Sequence, residues 1–573
     1  MKREYQQLYT EAGEKLKNDP SVIPWDVYPR PHMRRRKWMN LNGIWSFRDG
    51  DSIRVPFCAE SLLAKPEGGS FGSQISCLRA VSCRRTFAVP SEWRGKRVLM
   101  HLTVSREFSL RINGKQIAER YGERSSAYFP VTVDITDSLI EGENSVEVNF
   151  INDLDPAYPY GKQKIKRGGM WYTPCSGIWQ TVWLEPVPEK HISDIECFTE
   201  DGTVNVYAYG ADGGTVVCEG REYRFEGEYC RISFASPRMW SPEEPNLYEF
   251  TVRSGEDEVR SYFAFRTVET KTVGGKPRLL LNGKPYFFHG LLDQGYYSDG
   301  LWTPAEPEEY VRDIMKMKSL GFNTLRKHIK IEPELFYYYC DKLGMAVFQD
   351  MVNNGKYSFF RDTVLPTLGI TRLSDRRRER KGDPETQARF DEAMHRTALQ
   401  LRCHPSVVAW TIFNEGWGQF GADGRYDALR QLDDTRIIDA TSGWFHREKT
   451  DVDSLHIYFK KLHLGKRRQL PQVISEFGGY VLKIPEHSFN LNKTYGYKLF
   501  STREEFVSAL RKLYLEEVVP LAERGLSASI LTQVSDVEDE TNGLLTFDRR
   551  VMKLAPEEFA DIADALRNAV KEK

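Results

Sequence analysis

From about residue 37 to 186, short apolar runs alternate with polar positions and break at turn residues: GIWSF, RRTFAV, RVLMHLTV, FSLRINGKQI, VTVDI, NSVEVNF and TVWLEPV. A period of two with frequent turns predicts strands buried on one face, hence an all-β sandwich. Asn113-Gly114 stands between two such runs, as the turn of a two-residue hairpin would. A second strand-rich stretch, about 188 to 268, carries TVNVYAYG, GTVVCEG, YRFEGE, YEFTVRS and SYFAFRTVE. Its length suits a small seven-strand immunoglobulin-like sandwich. The segment 237–245, with three prolines around Trp240, reads as a loop inside it.

After residue 275 strands alternate with amphipathic helices, which predicts parallel βα units. The candidate strands are 285–290, 323–327, 345–350, 407–414, 436–442, 453–458, 472–477 and 528–533. Eight of them make a closed (β/α)₈ barrel the economical solution. The long gap between the third and fourth holds a helix and the run DRRRERK at 375–381, which reads as solvated surface because it is isolated and followed by acidic residues.

Length agrees with this division, since 573 residues exceed what one hydrophobic core serves. Basic and acidic residues nearly cancel, 80 against 81, so the global field gives no reason to expect nucleic acid or an anionic membrane. A small or neutral partner is expected. The N-terminal segment is polar and lacks the apolar core of a signal peptide, and no stretch has the length of a membrane span. Nine cysteines without a CxxC or zinc-spaced cluster read as reduced structural thiols, so the expected compartment is the cytoplasm.

In a barrel of this kind the site forms at the C-terminal ends of the strands, and the polar residues closing each apolar run are inspected first. Glu415 closes the fourth strand in VVAWTIFNEGW, and Glu476 closes the seventh in QVISEFGG. A carboxylate beside a buried apolar strand is costly unless paired or put to use. Strands four and seven face each other across the mouth, so the two side chains can converge as glycosidic cleavage requires. The alternative is a buried ion-pair role with Arg326 and His328, which end the second strand.

Longer motifs carry a resemblance. HPSVVAWTIFNEGWGQ (404–419) resembles the acid/base motif of glycoside hydrolase family 2, and ISEFGG (474–479) resembles its nucleophile motif. RRTFAVPSEWRGKRVLMHL, RINGKQI, SGIWQTVWLEPV, FRTVE and GFNTLRKHIKIEPELFYYYCDKLGMAVFQDM are similar to further landmarks of that family, in the same order. The resemblance implies a multidomain β plus α/β chain. Its parts would be an N-terminal extension and sugar-binding-like jelly-roll β-sandwich over 1–187, an immunoglobulin-like β-sandwich over 188–270, and a catalytic (β/α)₈ TIM barrel over 271–573.

It also implies Glu415 as acid/base, Glu476 as nucleophile, and Asn414 as a ligand of the sugar's 2-hydroxyl, where it could otherwise cap a turn. His456 and Tyr458, closing strand six, match a position where a tyrosine contacts the nucleophile; Arg326 and His328 match the strand-two signature, whose arginine steadies it. Trp444 is a candidate stacking platform or a core ring.

The chain also departs from the family. LLDQGYYSDG follows strand one, so Asp293 and Gln294 are expected to line the sugar pocket, and Gln533 stands where a tryptophan is common. The β-glucuronidases' Asn-x-Lys motif falls on Glu540-Thr541-Asn542, and a glutamate there would repel a sugar carboxylate. The nucleophile segment lacks the histidine-rich continuation of large β-galactosidases, while VFQDM is similar to the β-mannosidase side.

The expected activity is that of a retaining exo-glycosidase acting on a terminal sugar of a small or oligosaccharide glycoside, first a β-galactoside. An α-L-arabinoside, β-glucuronide or β-mannoside is the alternative within the family. The double displacement needs no cofactor or metal, and homo-oligomers are common in the family. A non-catalytic carbohydrate-binding protein is the alternative of another class; it would be expected to have lost one carboxylate, and both are present.

Overall fold

The computed structural model describes residues 5–571 except 49, 73–80, 121–126, 369, 371–382 and 418. The basic run at 375–381 lies outside the described residues.

The N-terminal region packs two antiparallel sheets face to face, a jelly-roll sandwich. One runs Met39–Asn40, Trp183–Val187, Arg97–Leu102, Val131–Asp134; the other runs Asp51–Val55, Gly43–Phe47, Val81–Ala88, Glu143–Ile151, Glu107–Ile112, Lys115–Arg120. Trp45, Phe47, Met100, Leu110 and Val148 fill the space between them, the inward set of each alternating run. Asn113 (φ 51°) and Gly114 (φ 79°) turn one hairpin with both residues left-handed, the twist a two-residue loop requires.

The next sandwich has sheets of three and four strands, with Asp194–Glu200 and Tyr229–Ser233 among them. The proline-rich loop at 237–245 fixes it to the barrel: Trp240 is fully buried and its Nε1 donates to the Asp341 carbonyl at 2.8 Å. Arg35 ties the two sandwiches together, donating to Glu185 at 3.0 Å and to Asp257 at 2.8 Å.

The C-terminal strands are β1 (Phe288–Asp293), β2 (Thr324–Lys327), β3 (Ala346–Asp350), β4 (Val407–Asn414), β5 (Ile437–Ser442), β6 (Asp453–Ile457), β7 (Gln472–Gly478) and β8 (Leu526–Thr532). They run parallel in the order β5-β4-β3-β2-β1-β8-β7-β6, a nearly closed eight-strand barrel. Phe288, Phe348, Ala409, Val473 and Ile530 belong to one buried cluster among these strands. The first expected strand is displaced. Asn282 (φ 53°) and Gly283 (φ 74°) make a hairpin turn that pairs Lys284–Pro285 back onto Lys276–Leu281, so the barrel strand starts only at Phe288. No described helix is long and apolar enough to cross a membrane.

The jelly roll also reaches the barrel mouth. In its loop around 152–175, Tyr160 N donates to Asn353 O at 3.1 Å, Asn354 Nδ2 donates to Ala157 O at 3.0 Å, and Thr173 N donates to Glu538 Oε1 at 2.8 Å. The pocket wall is therefore shared between two folding units.

Candidate active site

Two glutamates meet at the mouth. Glu476 lies at the end of β7, and Glu415 follows β4 in a tight turn whose φ of 51° is left-handed for a residue with a Cβ. Such a conformation costs energy and persists only where surroundings impose it. Here Glu415 N donates to Ser442 O at 3.0 Å, and Trp417 N closes the turn onto Asn414 O at 2.9 Å. Gly443 must lack a side chain: a Cβ there would sit 3.1 Å from His456 Nδ1 and 3.4 Å from Glu415 Cγ.

Arg326 organises the floor. Its guanidinium, fully buried, grips Asp350 through Nε (3.0 Å) and Nη2 (2.9 Å), and Nη1 donates to Glu476 Oε1 at 3.1 Å. Nη2 also donates to Asn414 Oδ1 at 2.8 Å and Ser442 Oγ at 3.0 Å. A guanidinium can only donate, so these contacts fix the Asn414 amide with its oxygen inward. Among the described residues, its Nδ2 has no protein acceptor.

Glu476 Oε2 accepts from Tyr458 Oη at 2.7 Å. Burial alone would raise the pKa of Glu476, but the electrostatic pull of His456, Arg326, His328 and Lys162 outweighs it and holds the carboxyl at about 2. It is a bare anion across the working range. His456 bridges the glutamates: Nδ1 lies 2.8 Å from Glu415 Oε1 and 3.4 Å from Glu476 Oε2, and Nε2 is 3.2 Å from Arg326 Nη1. The guanidinium can only donate, so Nε2 accepts from it and the ring proton on Nδ1 points at Glu415.

One oxygen of Glu415, one of Glu476 and a ring nitrogen of His456 all lie within 4.8 Å of one another. Three such donors are within reach of a small cation. However, both Glu476 oxygens already accept hydrogen bonds, which suits a carboxylate kept for attack better than a metal ligand.

The remaining sequence candidates divide. His328 Nδ1 lies 2.6 Å from Asp350 Oδ2, behind Arg326, and Trp444 packs edge-on to His456 at 6.3 Å between ring centroids. Gln533 is fully buried with Nε2 donating to Asn542 Oδ1 at 2.7 Å. Asp293 turns elsewhere: its carboxylate accepts from Lys327 Nζ at 2.6 Å and Gly295 N at 3.0 Å, within a cluster that includes Glu332. Gln294 is buried and, among the described residues, is not hydrogen-bonded to either glutamate.

Sequence reasoning passed over Asp350 and Ser442, although both close barrel strands and the same rule would have found them. It also passed over the rings above Glu415. Trp417 packs against Trp171 (5.0 Å), Tyr357 (5.4 Å) and Tyr160 (5.6 Å), three rings from distant segments that no local pattern connects.

Comparison with known proteins agrees with this geometry. Residues 274–477 match the model of the glycosyl hydrolases family 2 TIM barrel domain, and 195–266 match that of glycosyl hydrolases family 2. A β-galactosidase of Aeromonas hydrophila is 29% identical over 409 residues, 64% of this chain and 36% of the relative. A putative β-glucuronidase of Formosa agariphila is 25% identical over 375 residues, 60% of this chain and 32% of that protein. The chain thus spans about a third of the length of these curated relatives. Among solved structures, a β-D-glucuronidase of Dictyoglomus thermophilum superposes with a TM-score of 0.71 at 17% identity, over 94% of this chain and 98% of that one. A β-galacturonidase of Eisenbergiella tayi bound to galacturonate gives 0.64 at 20% identity, over 94% and 99%. Both glutamates fall within the barrel match, on the strand ends where the sequence motifs stand, and the chain belongs to glycoside hydrolase family 2.

Proposed function

We propose that this chain is a retaining exo-β-glycosidase in which Glu476 is the nucleophile and Glu415 the general acid/base. The observation that carries the reading is their spacing: one oxygen of each lies within 4.8 Å of the other. Inverting pairs stand roughly 6.5 to 9.5 Å apart to admit a water, whereas retaining pairs stand about 5 to 5.5 Å apart. The approach favours direct attack.

Each neighbour then has work. Glu476, ionised and held by Arg326 and Tyr458, attacks the anomeric carbon while Glu415 gives its proton to the departing glycosidic oxygen. The aglycone leaves and a glycosyl ester forms on Glu476. Glu415, now a carboxylate, takes a proton from water as it attacks the same carbon, and the ester breaks to free the sugar and Glu476. Asn414 offers its free Nδ2 to the 2-hydroxyl, and the loop from the jelly roll walls the mouth, as an enzyme trimming chain ends needs. No cofactor enters these steps.

For the sugar, the β-galactosidases among the relatives support a β-galactoside as the first substrate, with the β-glucuronidases supporting a uronide. The test is a panel of nitrophenyl β-galactoside, β-glucuronide, β-mannoside, β-glucoside and α-L-arabinoside with wild type and Glu476→Gln, with the first-formed anomer read by NMR. A retained anomer and loss of turnover in the variant are expected. An inverted anomer, or an active Glu476→Gln, would refute the assignment.

A further inference from the structure

The exit of β6 carries three side chains with three different surroundings. His456 Nδ1 lies 2.8 Å from Glu415 Oε1, and Tyr458 Oη donates to Glu476 Oε2 at 2.7 Å. Phe459, next along the chain, is 78% exposed, the most open large apolar side chain among the described residues. Its φ of 60° is left-handed, an outlier for so bulky a residue. Among the described rings it meets one other, the edge of Tyr497 at 4.9 Å between centroids. A glycine would relieve the backbone strain and expose nothing apolar, so the fold alone gives no reason for a phenylalanine here.

Tyr497 joins this ring to the catalytic floor. It stacks on Tyr458 at 4.0 Å and 22°, and its N donates to Gly479 O at 3.0 Å. A Cβ on Gly479 (φ +63°), in the segment that follows Glu476, would strike the Tyr497 ring. Tyr497 is thus pinned between Tyr458 and the nucleophile's strand. Tyr458, Phe459, Tyr480 and Tyr497 line one cleft of about 520 Å³. The rings above Glu415 differ, because Trp417 and Trp171 are buried against each other and have little face left for a ligand.

We propose that Phe459 and Tyr497 seat the group that departs with the scissile oxygen, and that this group carries a flat six-membered ring, sugar or phenol, directly on that oxygen. The inference rests on the glycosidase reading above and extends it from the terminal sugar to its leaving group. Glu415 must meet the glycosidic oxygen, so the departing group lies outward of the acid/base. The same strand exit that holds His456 against Glu415 offers Phe459 as its open ring. The apolar face of a pyranose or a phenol packs on such a ring and leaves its polar edge in water.

The test uses the full chain as wild type, Phe459→Gly and Phe459→Tyr. The substrates are the sugar that the panel shows to be cleaved, linked in turn to methanol, to 4-nitrophenol and to O4 of glucose. Phe459→Gly should raise KM by roughly five- to tenfold for the two ringed glycosides and by less than about twofold for the methyl glycoside, and Phe459→Tyr should keep the wild-type values. The Tm of Phe459→Gly should stay within about 3 °C of wild type, since relieved strain offsets the added chain freedom. The ringed glycoside that loses more names the departing group. An equal loss on all three, or a larger fall in Tm, would make the ring a structural one and overturn the inference. So would a wild-type dimer that Phe459→Gly dissolves in sedimentation, because the ring would then be a subunit contact.

Calorimetry with phenyl and methyl 1-thioglycosides of the panel sugars separates this failure from failure of the catalytic reading. If no glycoside is cleaved but a phenyl thioglycoside binds wild type more tightly than its methyl counterpart, and Phe459→Gly loses that margin, the inference stands and the catalytic reading falls. If wild type shows no such margin, the inference falls.

Discussion

Arg326 and Lys327 are neighbours on β2, both buried cations contacting two carboxylates, yet they belong to different kinds of structure. Lys327 points to the helical side: Nζ lies 2.6 Å from Asp293, 2.9 Å from Glu332, and over the Phe336 ring at 4.3 Å. Lys330 joins Glu332 at 2.9 Å, and Tyr310 Oη completes that carboxylate at 3.0 Å. Two lysines thus face two carboxylates in a balanced set. Arg326 instead pairs Asp350 and Glu476, with Glu415 beyond His456, and Glu415 stays partly open. Burial and ion pairing are common to both. A carboxylate left partly open at the mouth is what marks the site.

The comparison is tested hardest at Arg326 itself. Arg326→Met removes the donor to Glu476 and the anchor of Asn414 together, and kcat is expected to fall by roughly 10³-fold or more. Removing one partner of a buried pair also strands the others, so stability should drop by about 3 to 5 kcal/mol. Activity normalised to folded protein separates the two. If normalised kcat stays within tenfold, the arginine is a structural residue like its neighbour.

Lys327→Met is the mirror experiment. It leaves Asp293 and Glu332 without their shared cation and should cost a similar 3 to 5 kcal/mol, about the usual penalty for a broken buried pair. The folded fraction should keep wild-type kcat and KM. Denaturant unfolding and steady-state kinetics on the same preparation would check this, and a change in KM would place Asp293 in the sugar pocket after all.

This pair also shows how far the sequence could be read. Apolar runs closed by polar residues led to Glu415, Glu476 and Arg326, because strand ends in a barrel point to one face. The family resemblance added His456, Tyr458 and Asp293, and for Asp293 position along the chain lacked parity. Successive side chains on a strand alternate sides, and the register sets Leu292 beside Arg326 and Asp293 beside Lys327. Asp293 therefore shares the helix-facing side of Lys327. Register is a tertiary fact that a single strand does not encode. Tyr160 and Trp171 were illegible for a related reason: they lie more than a hundred residues before the first barrel strand and meet Trp417 only because the two units dock. The displaced first strand was different, since Asn282-Gly283 was in plain view as a hairpin signal.

A smaller effect concerns how tightly Glu476 is held. Tyr458→Phe removes the 2.7 Å donor to Oε2 and leaves Arg326 in place. A loss of about tenfold in kcat is expected, typical of one hydrogen bond to a charged group. The lowered pKa of Glu476 fixes the sign of its pH effect. Its contribution to stability is complete above the ordinary carboxylate range and is lost as pH falls toward about 2. Acid unfolding of Tyr458→Phe should therefore begin at a higher pH than in wild type, and coincident curves would mean that the phenol contributes nothing to the anion.

The smallest effect should come from Asp439 on β5, which feels Arg326 without touching it. Burial raises its pKa to about 6 against the opposing pull of Ser454, Arg326 and His456. Its Oδ1 has no partner among the described residues. A carboxyl with a raised folded pKa supports the fold while protonated and loses that support as pH rises through about 6. Asp439→Asn keeps the shape without the charge. It should leave stability unchanged near pH 4 and raise it by about 1 kcal/mol at pH 7 and above. Denaturant titrations at the two pH values would show the crossover. Destabilisation at both would mean that Asp439 pairs with Arg326 as an anion, and the ion-pair set that Arg326 organises would extend one strand further around the barrel.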